Sequence, residues 1–145
     1  MDLSVELFMT SYRQLALVSA VLGGFAFSFL AVHLAAGDRR RVAGWTVALS
    51  TVASLLLVVT AFLDVTLEAV LMGLPTGASF ADLPGAVLRV AGWSGATFSA
   101  GVVALVLAVI AGAWLRSPVV GWVATFLGAG ALAAMGYAFL LLGLA

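Results

Sequence analysis

Residues 42–63 read VAGWTVALSTVASLLLVVTAFL and carry no charged side chain. A helix of about 20 mostly apolar residues, rising about 1.5 Å per residue, crosses a hydrocarbon core roughly 30 Å thick. The stretch meets that length, and its apolar residues are continuous rather than alternating, which excludes a barrel strand. It begins just after Arg39, Arg40 and Arg41 and stops at Asp64. Outward from it, residues 14–37, 90–115 and 117–145 form three further charge-free runs of sufficient length. The expected fold is an all-α membrane protein, a four-transmembrane-helix bundle, with residues 1–145 forming a single domain. Its helices are expected at 14–37, 42–72, 90–115 and 118–145.

The composition fits lipid better than water. Apolar residues make up 65% of the chain and charged residues 8%, against about 45–50% and 25% in soluble domains, and the mean hydropathy is +1.27. Six basic residues, all arginine, balance six acids, so no basic face is available for nucleic acid. The chain has no cysteine and one histidine, His33, which removes disulfides, thiolate metal sites and any His-based ligand spacing. No acid–base pair accompanies His33, so neither an enzyme, a cofactor nor a metal centre is expected. Asp2 and Glu6 before the first run, and the length of that run, argue against a cleaved signal peptide. Arginine without lysine, with abundant Ala, Val and Gly, points to a GC-rich prokaryote and a multi-pass protein of the cytoplasmic (inner) membrane.

Arginine placement sets the expected topology. Arg39, Arg40, Arg41 and Arg116 lie on one side, and Arg13 and Arg89 on the other with Asp2, Glu6, Asp64, Glu68 and Asp82. The excess favours the two tight turns in the cytoplasm, where these arginines meet anionic lipid headgroups. Trp45, Trp114 and Trp122 near one face, and Tyr12 and Trp93 near the other, fit interfacial belts. Gly73-Leu74-Pro75-Thr76-Gly77 is expected to break helix two. Asp82 is expected to cap a segment, Leu83 to Ala91, lying along the interface before helix three. Arg-Val-Ala-Gly-Trp at 41–45 and Arg-Ser-Pro-Val-Val-Gly-Trp at 116–122 open helices two and four alike. They mark either two parallel hairpin repeats or two turns with the same interfacial needs.

Small residues recur at four-residue spacing: Ala16, Ala20, Gly24 and Ser28 in helix one, and Gly92, Ala96, Ala100, Ala104, Ala108 and Gly112 in helix three. Such rows let helix backbones approach in lipid, and their abundance points to a homo-oligomer or a membrane-protein partner. Helix two carries Ser50 and Ser54 four apart, after Thr46; these hydroxyls line a wet path or, more commonly, bond within helices and across to neighbours. Asp64 and Glu68, one turn apart at the expected outer end of helix two, are cation-binding candidates, the bland alternative being a solvated helix end. The charge-free runs hold no Asp, Glu, Arg or Lys, which argues against a proton-coupled antiporter of the small multidrug type.

Ser19-Ala20-Val21-Leu22-Gly23-Gly24-Phe25-Ala26 in helix one resembles the pore-lining first helix of the Orai calcium-channel family, Ser-Ala-Leu-Leu-Ser-Gly-Phe-Ala. Four helices and a short first connection agree with that family. The resemblance implies a ring of first helices with Val21, Gly24, Phe25 and Ser28 towards the axis. The family's selectivity glutamate falls at Val32, and its acidic outer loop is replaced by Asp38-Arg39-Arg40-Arg41, so calcium selectivity does not transfer. The sequence therefore predicts a small oligomeric ion channel or pore, or else a noncatalytic accessory subunit of a larger membrane complex.

Overall fold

The computed structural model describes residues 3–35, 41–73 and 83–143. Arg39, Arg40, the break at 74–77 and Asp82 lie outside the described residues. Four helices follow in order, α1 (Leu3–Ala35), α2 (Arg41–Met72), α3 (Gly85–Arg116) and α4 (Pro118–Gly143), with no strand among the described residues. All four are long and apolar enough to cross a membrane, α2 through a segment reaching from Ala43 to Met72. This is the architecture of a multi-pass membrane protein.

Two expected boundaries move. α1 starts at Leu3 rather than residue 14, and among the described residues no separate interfacial segment precedes α3. Pro84 stands at the N-cap with φ −56° and no side-chain cap, and its carbonyl accepts from Val87 N at 2.8 Å, closing the first turn at once. Proline fixes φ near the helical value, so the helix begins there and runs unbroken through Arg89 to Arg116.

α1 packs on α2, α2 on α3 and α3 on α4, with a smaller contact between α1 and α3. Ala43, Thr46, Ser50, Ala53, Leu57, Thr60, Asp64, Leu67 and Leu71 of α2 are buried in one stripe at three- and four-residue intervals. The opposite face, including Val52, Leu55, Val59 and Phe62, is exposed and mostly apolar, and the one hydroxyl that continues it, Thr66, is spent on Phe62 O at 2.8 Å. Lipid accepts that face at no cost, so polar side chains collect inward. At the centre Ala26, Ala53, Leu57, Ala104 and Leu105 join the first three helices in one apolar layer.

The four-residue rows are only partly used. On α1 the buried small residues are Ala16, Ser19, Gly23 and Ala26, whereas Ala20, Gly24 and Ser28 are exposed. On α3 Ala104 and Ala108 are buried, and Gly92, Ala96 and Ala100 are exposed. A four-residue step overshoots a helical turn by about 40°, so such a row winds off the contact face. Gly112 keeps a close contact, an added Cβ lying 2.8 Å from Phe29 Cζ of α1. α2 and α3, however, meet closely off the row at Gly101, where an added Cβ would lie 2.9 Å from Leu57 Cγ and 3.3 Å from Leu56 Cβ. Gly101→Ala should therefore cost about 1–3 kcal/mol through overpacking, read as a lower thermal midpoint in detergent; an unchanged midpoint would mean that α2 and α3 have slack there.

Candidate cation site

Asp64 is not at a solvated helix end. α2 continues to Met72, and Asp64 is 0% exposed. The expectation that the spans hold no ionisable group is thereby corrected. Asp64 and Glu68 both fall within Ala43–Met72, and Arg13 falls within the α1 span Leu7–Leu34. Apolar residues continue past Asp64 at Val65, Leu67, Val70 and Leu71, within the apolar span that reaches Met72. Asp64 is seven residues from Leu57, about 10 Å along the axis. With α2 centred on the bilayer, it sits within the hydrocarbon half-thickness of about 15 Å.

Three helices build the surroundings of Asp64. Ser94 of α3, also 0% exposed, donates its hydroxyl to Asp64 Oδ1. Tyr12 of α1 packs with Leu67, Leu71, Leu83 and Val87 in an apolar cap over the site. Asp64 Oδ2 has no hydrogen-bond partner. One turn deeper, Thr60 Oγ1 lies 2.8 Å from Thr97 Oγ1 and donates to it, while Thr97 donates to the carbonyl of Trp93 or Ser94, each at 3.0 Å. Among the described residues no group of three His, Cys, Asp or Glu could hold a metal ion.

Glu68 faces elsewhere. It meets Arg13 of α1 at 3.8 Å, with the Arg13 side chain 77% exposed and that of Glu68 18%. The two acids one turn apart are thus separated: Asp64 turns to the seam between α1, α2 and α3, and Glu68 to a groove of about 570 Å³ between α1 and α2. They do not form a two-carboxylate pincer.

Comparison with protein-family models, with curated proteins and with solved structures finds no match to this chain. The geometry alone therefore carries the argument.

The remaining candidates divide into two sets. Val21, Gly24, Phe25 and Ser28 are exposed on the outer face of α1, Val21 by 64% and Phe25 by 54%, and nothing lies within 4 Å of a Cβ added at Gly24. The hydroxyl of Ser28 is spent on Gly24 O at 2.9 Å. Ser50 and Ser54 are buried between helices instead, Ser50 donating to Thr46 O at 2.7 Å. One wall cannot contain both sets within a single chain. His33 Nδ1 lies 2.8 Å from Phe29 O, a local bond, beside a groove that Arg116 also lines. Arg41 is the first residue of α2.

Sequence reasoning missed Ser94, Ser19 and Leu57 as site residues. The interval from Leu57 through Thr60 and Asp64 to Leu67 and Leu71 was the available signal for Asp64, because it continues the inward stripe past the acid. Nothing in the sequence pairs Ser94 with Asp64, since that requires the register of α3 on α2.

Proposed function

We infer that this chain moves a proton or small cation across the membrane, with Asp64 as the binding carboxyl. The observation that carries this is a fully buried aspartate inside a lipid-spanning helix, with one oxygen left unpaired. An acid in a membrane helix costs up to about 2.5–3.5 kcal/mol to insert, the value at the helix centre. Interhelical hydrogen bonds in membranes average only about 0.6 kcal/mol, so the bond with Ser94 is too weak to explain Asp64 as mere adhesive. The seam offers hydroxyls on both sides of the Leu57 layer, Thr60 and Thr97 towards Asp64, and Ser54, Ser50 and Thr46 beyond it.

The test is ion flux through the purified protein in liposomes, driven by a pH or salt gradient. Transport by the intact chain, falling to the empty-liposome background in Asp64→Asn, is expected. Silence of the intact chain would favour the accessory-subunit role, and equal flux in Asp64→Asn would remove Asp64 from the path.

A second reading, a pore between copies of the chain, is supported by the open notch at Gly24 and the exposed Val21, Phe25 and Ser28 beside it, the positions that the Orai resemblance turns to an axis. A ring-sized native mass in detergent supports it, and a monomer sinks it.

A further inference from the structure

Two buried oxygens within α1 and α2 lack hydrogen-bond partners: Asp64 Oδ2 and Ser19 Oγ. Both residues are 0% exposed. Leaving a buried polar atom unpaired costs about 1–3 kcal/mol, so two such atoms in one seam require a physical account.

Their depths agree. α1 and α2 run antiparallel, with Arg13 opposite Glu68 and Gly23 opposite Leu57 and Val58. Ser19 lies between those contacts, level with about residue 62 of α2, within about one helical turn of Asp64. It also belongs to the α1 stripe that continues to Ala26, which meets Leu57 and Ala104 where the three helices join.

We propose that Asp64 holds an exchangeable proton, which passes to and from Ser19 through one buried water between their two unpaired oxygens. This rests on the transport reading above and names the ion as a proton. A neutral carboxyl has one O–H to donate and keeps acceptor capacity on its other oxygen. Ser94 donates to Oδ1, which leaves the proton for Oδ2. Buried waters bridge such groups with about two to four hydrogen bonds. In the step only O–H bonds change: the Oδ2–H bond breaks as its proton joins the buried water, and that water passes one of its own protons to Ser19 Oγ. Ser19 releases its original proton to water of the groove lined by Ala16 and Ala20; the carboxylate keeps the electron pair until the reverse relay returns a proton.

The donor set suits a proton and not a dehydrated metal cation. Hard cations take about six or more oxygens, whereas Asp64 is one carboxylate and Glu68 is engaged by Arg13. The charged and titratable groups near Asp64 are Tyr12 and Arg13 on α1, Glu68 on α2 and the exposed Arg89 on α3. Arg13 pairs with Glu68, so it does not fix Asp64 as an ion pair. The Arg13–Glu68 groove also reaches Ala16 and Ala61, each about one turn from Ser19 and Asp64 respectively, which gives the water a short way in.

Infrared spectroscopy of the full chain in liposomes tests this. A protonated-carboxyl C=O band is expected at neutral pH, shifting on transfer to D₂O and absent in Asp64→Asn. Should that variant fail to fold, a chain with the other five acids, Asp2, Glu6, Asp38, Glu68 and Asp82, changed to amides keeps the band. Ser19→Ala should slow the D₂O shift about fivefold, as loss of one hydrogen bond of about 1 kcal/mol predicts. Added sodium chloride at fixed pH should leave the band unchanged. No band, a band indifferent to D₂O, or a band that sodium abolishes would each overturn the proposal. A D₂O-sensitive band without flux upholds the proton site while the transport reading falls; flux without the band does the reverse.

Discussion

Leu57→Asn should raise passive proton leak through the protein in liposomes by about tenfold or more, the effect of lowering a barrier by about 1.4 kcal/mol. Leu57 sits at the middle of α2, 0% exposed, in the layer with Ala26, Ala53, Ala104 and Leu105. Hydroxyls stop at Ser54 on one side and resume at Thr60 on the other, leaving roughly 9 Å of the seam without a polar side chain on α2. A narrow apolar stretch excludes water and so blocks ions without any moving part. Asparagine keeps the branch at Cγ while supplying a donor and an acceptor at the driest point. Leu57→Met, apolar and similar in volume, is the control and should leave the leak at its starting level. A leak that stays low in Leu57→Asn would place the conducting path outside this seam and turn attention to contacts between copies.

Gly128→Leu should detach the far half of α4. That helix docks on α3 through three close points. Gly121 lies under Trp114, whose ring carbons would be 2.5–2.8 Å from an added Cβ. Trp114 Nε1 donates to Thr125 Oγ1 at 3.2 Å. Gly128 meets Val106 and Ile110, with Ile110 Cδ1 only 2.7 Å from an added Cβ. Alanine at 128 asks only the tip of Ile110 to turn, whereas leucine needs space that two β-branched side chains on α3 already fill. Overpacking of this kind costs about 1–3 kcal/mol, and most of the rest of α4 is exposed. Spin labels on Ala100→Cys and Ala134→Cys, two exposed positions at similar depth on α3 and α4, report the result: the distance distribution should lengthen and broaden in Gly128→Leu. An unchanged distribution would show that α4 has further anchorage.

The four spans were legible because charge is so costly in lipid that its absence over twenty residues has few other causes. Register and helix faces were not. α2 carries apolar residues on every side, so no hydrophobic stripe marks which side turns inward; the inward face is distinguished by hydroxyls and one acid. By charge alone Asp64 marks the end of a run, whereas the apolar residues after it carry the helix on to Met72. The rows through Gly24 and Gly92 were visible, but their winding sends those two glycines outward. The pairing of Asp64 with Ser94 depends on how far α3 slides along α2, which packing at Gly101 fixes and no local pattern records.

The joint between α3 and α4 has a consequence for how the chain is made. One residue, Ser117, separates the two helices; its N–H caps Ala113 O and its hydroxyl accepts from Val120 N. With no slack there, the turn ties the start of α4 to the end of α3, so the two helices are expected to enter the bilayer as one hairpin and to take their sidedness together.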